Sequence, residues 1–359
     1  MMELNPFHGR PIQSIFTPSD RMALSASDAC VRSVYQATSL LLACGLGYDL
    51  IVAENDLMMS SDSSTRIFWY LAGPTASGKT ALGITLAKQW NAEIISMDSM
   101  AIYRFMDIGT AKPMAAERAE VPHHLIDILD PNDEFSVSDY IQAAKQTATE
   151  IRSRGKQVLF VGGTPLYLKG MLRGIFEGPK ADPVLREELT RIAESGGNLH
   201  QRLAEIDLQA AARLHPNDLR RIIRAIEVYE LTGKPISFHQ TQFETPASAK
   251  EHQVFVLDWD KEELNRRIDR RVEKMFEQGF LEEAKKLSKR PLGKTASQAV
   301  GYKELFEYFA NEPKRSLDET IALIQLHTRQ FAKRQRTWFR SLAECRFIDP
   351  TSRPLRGDV

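Results

Sequence analysis

The feature that most constrains this chain is the eight-residue stretch G-P-T-A-S-G-K-T, positions 73–80. It lies between the apolar run RIFWYLAG (66–73) and the helical text TALGITLAKQW (80–90). A glycine, four residues and then Gly-Lys-Thr is the phosphate-loop spacing. Gly73 and Gly78 permit backbone angles that turn successive N–H groups inward on one anion. Lys79 adds a point charge, and the helix that follows offers its positive end. The Thr80 hydroxyl can hold a magnesium ion, with Ser77 a second candidate. The candidate anion site is therefore Gly73, Pro74, Thr75, Ala76, Ser77, Gly78, Lys79 and Thr80, a nucleotide-binding pattern whose ordinary occupant is ATP. Such a loop needs a strand entering and a helix leaving, and the flanking text supplies both.

Beyond it, short apolar runs alternate with helical patterns. AEIISMDS (92–99), QVLFVGGT (157–164) and EHQVFVLDWD (251–260) read as a second, third and fourth strand, and a helix is expected over 138–155 with Ser138 as its N-cap. The expected fold is an α/β, P-loop NTPase-like parallel sheet flanked by helices on both faces. No strand is legible from 176 to 232, which reads as a helical insertion. The core is then 66–175 and 233–348, ending in C-terminal helices. Residues 1–65 lack a clear period and close on SSDSST, just after Met58 and Met59. They read as an N-terminal extension outside the fold, and the first 57 or so even as an upstream start-codon artefact. A peptide from residues 1–50 in the natural protein, found by mass spectrometry, would rule the artefact out.

Of the 359 residues, 43% are apolar, enough for a substantial core. Lys and Arg number 47 and so do Asp and Glu, so no global field attracts a polyanion and a nucleic-acid surface would have to be local. The cysteines, Cys30, Cys44 and Cys345, show no C-x-x-C spacing and fit a reducing cytoplasm. The apolar run ATSLLLACGLGY (37–48) is too short to span a bilayer, and no export signal is evident. No membrane partner is expected. The third strand ends in Gly162-Gly163-Thr164 where a nucleotide hydrolase wants a carboxylate, and neither N-K-x-D nor T-K-x-D occurs, which disfavours a motor or a GTPase switch.

The strand that does end in acid is AEIISMDS. Asp98 is expected at its carboxyl end beside the loop, where open sheets place ligands. It is either a magnesium-linked or capping carboxylate, or a general base facing a phosphate-bearing ligand. Ser96 and Ser99 read as turn or cap residues, with Ser99 within reach of a ligand. Adjacent His123 and His124 suit a structural loop better than a metal. In the turn His215-Pro216-Asn217-Asp218, Asn217 or Asp218 caps the next helix. Residues 261–340 hold 19 Lys or Arg against 12 Asp or Glu, and Arg329, Lys333, Arg336 and Arg340 are spaced to form one basic stripe, with Phe331 and Trp338 towards the core. In LRRIIRAIEVY, Arg220, Arg221 and Arg224 can share a side, with Ile222, Ile223 and Ile226 on another.

Several blocks in order, GPTASGKT, SMDSMAIYRFMDIGTAKP, PHHLIDILDP, VGGTPLYLKGML, LHPNDLRRIIRAIEVY, VGYKEL and TRQFAKRQRTWFR, resemble tRNA dimethylallyltransferases over about residues 67–348. The resemblance implies transfer of a dimethylallyl group from dimethylallyl diphosphate to the exocyclic amine of the adenosine beside the anticodon (position 37) of certain tRNAs. The loop then holds a prenyl diphosphate with Mg2+, and Asp98 is the base, with Thr75 and Lys79 at the diphosphate. It also implies tRNA contacts at Asp98, Ser99, Met100, Ala101, Thr164, Arg186 and the run Arg220, Arg221, Ile222, Ile223 and Arg224, of which Arg221 or Arg224 could serve the diphosphate instead. The implied partners are the tRNA anticodon stem-loop and dimethylallyl diphosphate, and a monomer is expected. Many members of the family carry glutamine where this chain has Ala101, which puts that one contact in doubt. Prenylation of a free adenine nucleotide and a P-loop nucleotide kinase are the competing functions, and the basic C-terminal helices favour the larger substrate.

Overall fold

The structure is a computed structural model that describes residues 67–351 apart from 177, 241–246, 248–250 and 311–314. The expected N-terminal extension, with Met58, Met59, Cys30 and Cys44, lies outside the described residues. Strand β1 (Phe68–Ala72) enters the phosphate loop and α1 (Lys79–Gln89) leaves it. Then come β2 (Ala92–Ser96), α2 (Ala115–Glu120), β3 (His123–His124), α3 (Val137–Ser153), β4 (Gln157–Gly162) and α4 (Pro165–Arg173). A run of helices follows: α5 (Pro183–Glu194), α6 (Leu199–Ile206), α7 (Leu208–Arg213), α8 (Leu219–Thr232) and α9 (Ile236–His239). The chain returns through β5 (His252–Leu257), α10 (Lys261–Glu277), α11 (Phe280–Leu287), α12 (Lys294–Ser297), α13 (Tyr302–Ala310), α14 (Leu317–Arg340) and β6 (Cys345–Ile348).

The six strands form one sheet in the order β3-β2-β4-β1-β5-β6, every described pairing parallel. Continuous apolar strands suit a sheet covered on both faces. Strict alternation sorts them. Tyr70, Phe160, Val254 and Val256 pack on one face with Tyr140 and Leu168, from α3 and α4. Trp69, Leu71, Leu159, Phe255 and Leu257 pack on the other with Ile84 and Leu86 of α1. The four expected strands are the centre of the sheet. The two strands missing from the sequence reading are its edges. β3 is two residues long, and it turns the expected histidine loop into strand: His124 Nε2 lies 2.7 Å from buried Glu93, and His123 Nδ1 lies 2.7 Å from the Val121 carbonyl.

Helix α3 starts earlier than expected. Ser136, not Ser138, is its N-cap: Asp139 N–H donates to Ser136 Oγ at 3.2 Å, and Ser136 N–H donates to the Asp139 carboxylate at 2.9 Å. An acid three residues on completes a capping box for Ser136, whereas Ser138 has Ile141 there. At α8 the cap is Asp218. Helices α5 to α8 close on their own core of Leu189, Leu203, Ile222 and Ile226. Helices α10, α11, α13 and α14 share another with Ile102 and Met106. Among the described residues no helix is long and apolar enough to cross a membrane.

Candidate active site

The phosphate loop is shaped locally but held from a distance. Gly78 has φ +91, a left-handed conformation that glycine adopts without steric cost, and Ala76 is left-handed too at φ +62. Three later side chains pin the loop backbone. Trp259 Nε1–H donates to the Ser77 carbonyl at 2.8 Å, Arg267 Nε–H donates to the Ala76 carbonyl at 2.9 Å, and Gln335 Oε1 accepts the Thr75 N–H at 2.9 Å. The Arg267 guanidinium lies over the Trp259 ring, 4.2 Å from its centroid.

A cavity of about 460 Å³ opens at the carboxyl ends of β1, β2 and β4. It brings together Thr75, Lys79 and Thr80 of the loop with Asp98, Ser99, Met100, Ala101 and Thr164. The acid-ended strand and the glycine-ended strand thus face the loop across one space. Asp98 Oδ1 accepts the N–H groups of Met100 at 2.8 Å and Ala101 at 3.3 Å, which fixes its carboxylate on the turn. Thr164 Oγ1 accepts the Ser99 N–H at 3.1 Å, joining the two strand ends. Glycine is required at 162 for that closeness: a Cβ there would stand 2.1 Å from the Met97 carbonyl oxygen. Ser77 lies elsewhere. It is 2% exposed beneath the loop, 3.4 Å from Lys79 Nζ, and does not line the cavity, so of the two magnesium candidates only Thr80 faces it.

Of the four Lys and Arg residues that line this space, Lys112 is paired with Asp107 at 2.7 Å and Asp127 at 2.5 Å and Arg334 lies on α14, while Lys79 and Arg271 come from the loop and α10. Lys79 Nζ–H donates to the Pro74 carbonyl at 2.7 Å. Burial, then the nearby Arg271 charge, push its ammonium down to about 7, against the pull of Asp98. Burial likewise lowers the Arg271 guanidinium, again opposed by Asp98. Neither is joined to a carboxylate among the described residues. Sequence reasoning missed Arg271. The signal was there: in α10 the residues Leu264, Ile268, Val272 and Met275 make the buried stripe, and Arg271 sits inside that stripe where an apolar residue belongs. It also missed Gln335 and Phe331, which line the cavity from α14. Tyr302, without a role in the sequence, donates its hydroxyl to Glu283 at 2.6 Å. That carboxylate also accepts the N–H groups of Asp107, Ile108 and Gly109 at 2.9–3.1 Å, holding one wall of the cavity.

The remaining candidates are not at the cavity. Ile222 is 0% exposed in the core of α5 to α8, so its side chain cannot touch RNA, and Ile223 packs against the same core. Arg220 and Arg221 are exposed, with Arg221 3.3 Å from Asp218. Arg186 and Arg224 converge instead on Glu227, which is fully buried: Arg186 makes a two-pronged bond at 2.8 Å twice, and Arg224 bonds at 2.5 Å. The expected basic stripe on α14 is largely neutralised. Arg329 pairs with Asp269, while Arg336 and Arg340 meet Asp258 at 2.8 and 2.7 Å. Phe331, expected towards the core, is 37% exposed at the cavity.

With this geometry in view, the chain's relatives can be named. A sequence profile described as IPP transferase matches residues 101–342. The chain belongs to the IPP transferase family. It is 47% identical over 283 residues to a tRNA dimethylallyltransferase of Carboxydothermus hydrogenoformans, covering 78% of this chain and 90% of that one. It is 46% identical over 273 residues to tRNA dimethylallyltransferase 1 of Citrifermentans bemidjiense, covering 75% and 87%. Among solved structures it is similar to the tRNA isopentenylpyrophosphate transferase of Bacillus halodurans, with TM-score 0.58, 41% identity and coverage of 79% and 90%. It is also similar to a eukaryotic dimethylallyltransferase acting on tRNA, with TM-score 0.67, 28% identity and coverage of 80% and 75%.

Proposed function

We propose that this protein transfers a dimethylallyl group from dimethylallyl diphosphate to the exocyclic amine of adenosine 37, beside the tRNA anticodon, giving N6-isopentenyladenosine. The observation that carries the proposal is that one cavity joins the phosphate loop to the Asp98 carboxylate. Lys79, Arg271 and the loop amides would bind the diphosphate and stabilise the charge that builds on it as the allylic C–O bond breaks. The adenine amine is a weak nucleophile because its lone pair is drawn into the ring. Asp98, anchored through Oδ1, would take the amine's proton as the new N–C bond forms. The target base has to leave its stack to reach the cavity, as in other enzymes that act on a base.

The donor set suits magnesium. A hard cation of this kind takes one or two protein oxygens and completes its shell with water and substrate phosphates. The Thr80 hydroxyl and the Asp98 carboxylate face one space, and among the described residues there is no cluster of three or more His, Cys, Asp or Glu that would form an all-protein metal cage. Thr80 would hold the ion, which when bound neutralises diphosphate charge.

The test is incubation with Mg2+, dimethylallyl diphosphate and unmodified tRNA, followed by mass spectrometry of the nucleosides. Isopentenyladenosine at position 37 is the expected product. Modification of free adenine nucleotide in preference to tRNA, or a fold stabilised by ATP more than by dimethylallyl diphosphate, would count against the proposal. Asp98→Ala should cost about 10²–10⁴-fold in turnover while tRNA binding persists. Turnover near wild type would remove Asp98 from the role of base.

A further inference from the structure

The ladder between β1 and β4 ends at the pair Ala72–Gly162. The chains that leave it carry the two halves of the site, the phosphate loop from Gly73 and the Gly163-Thr164 turn. One side chain ties them where sheet bonding has stopped. Gln335, on the cavity face of α14 and 4% exposed, accepts the Thr75 N–H at 2.9 Å and donates its Nε2–H to the Gly163 carbonyl at 2.6 Å. The amide's orientation follows from chemistry, since an N–H can only donate and a carbonyl can only accept. The fit is close on both sides. A Cβ at Gly163 would stand 2.7 Å from Gln335 Nε2 and 3.3 Å from the Gly73 carbonyl oxygen. Next along the turn, Thr164 Oγ1 accepts the Ser99 N–H, which fixes the residue beside Asp98. A single path of hydrogen bonds therefore runs Thr75–Gln335–Gly163, and one residue on from there Thr164–Ser99, from the cradle to the acceptor wall.

We infer that Gln335 is a positioning residue for prenyl transfer: its carboxamide sets the distance and angle between the group that holds the departing diphosphate and the wall that presents the attacking amine. This rests on the function proposed above and adds the device that sets the register. An apolar side chain of similar length could fill the space, but it would leave the half-buried Thr75 N–H and the buried Gly163 C=O without their partner. Both loops could still fold and bind while standing slightly wrong for each other. Reactions that need close alignment are sensitive to that, with misplacement of about 1 Å costing on the order of 10²-fold.

The experiment measures, for wild type, Gln335→Met and Gly163→Ala, the single-turnover rate of prenyl transfer, the Kd of Mg-pyrophosphate, and the Kd of an unmodified anticodon stem-loop. The expected result for Gln335→Met is a rate lower on the order of 10²-fold with both Kd values unchanged. Gly163→Ala pushes on the same amide from the other side and should reproduce that split. The double variant should be no slower than the worse single, because both break one contact. Should Gln335→Met not fold, Gly163→Ala alone decides the matter by the same split. A rate unchanged in a folded variant, a rate loss that tracks weakened binding, or full additivity in the double variant would each overturn the inference. Lys79→Ala is the separate control: if it leaves pyrophosphate binding intact, the diphosphate reading fails, whatever the Gln335 variants do.

Discussion

Lys79 and Arg271 both line the cavity, Lys79 with its Nζ–H on the Pro74 carbonyl, and the Asp98 carboxylate acts on both charges without bonding to either. In the helical unit of α5 to α8, Arg186 and Arg224 close on one buried anion, Glu227, which also accepts the Asp182 N–H at 2.8 Å. Burial would push the Glu227 carboxyl up, yet its two arginines and that amide outweigh burial and hold it below the usual range. The contrast separates two uses of a cation. Lys112, at the same cavity, is paired with Asp107 and Asp127, whereas Lys79 and Arg271 stand without a bonded carboxylate among the described residues, at a cost in stability, so that a ligand anion can complete them. The helical unit satisfies Arg186 and Arg224 internally, and Arg186 keeps an outward edge on a fixed guanidinium, its side chain 42% exposed.

The sharpest way to break this contrast is Arg271→Gln. If the cavity cations stabilise a leaving diphosphate, turnover should fall on the order of 10²–10³-fold in steady-state assays, while the fold persists because Arg271 has no bonded carboxylate to strand. Turnover near wild type would make Arg271 a bystander. Next in size is Glu227→Gln. If Glu227 acts by holding Arg186 for RNA, then Glu227→Gln and Arg186→Ala should each weaken tRNA binding and couple by about 0.5–3 kcal/mol in a double-mutant cycle. Additive losses would mean that the pair serves the helical core alone.

The smallest effect is on stability and has a definite sign. Lys79 titrates near 7 in the fold against 10.5 when unperturbed, so the fold bears the cost of the buried charge below pH 7 and sheds it as pH rises towards 10.5. Lys79→Met should therefore be more stable than wild type at pH 6, by about 1–2 kcal/mol once screening by cavity water is allowed for. The gap should narrow by pH 10 in thermal unfolding. A gap that ignores pH would show that burial of Lys79 costs the fold nothing.

How much of this was legible depended on whether a residue's partners are near in sequence. The phosphate loop could be read because glycine, lysine and threonine act on one anion within eight residues. Asp98 could be placed because a strand's end is set by its own apolar run. The α14 stripe misled for the opposite reason. Spacing gave Arg336 and Arg340 a common face correctly, but their charge is met by Asp258, some 80 residues earlier, and no periodicity reports that. Ile222 was grouped with RNA contacts by its neighbours in a motif, whereas the helix turns it into the core of α5 to α8. Strands β3 and β6 escaped notice because two or four residues at a sheet edge carry too little apolar pattern.

By itself the sequence determined the anion cradle, the central parallel strands and the acid that ends one of them, since each follows from backbone freedom and hydrophobic period over a few residues. Only the tertiary structure decided which cations stay unpaired, that Arg271 joins Lys79, and that Gln335 ties the loop to the opposite wall. Those facts are distances between segments as much as 260 residues apart, and the packing of α10 and α14 against the sheet sets them.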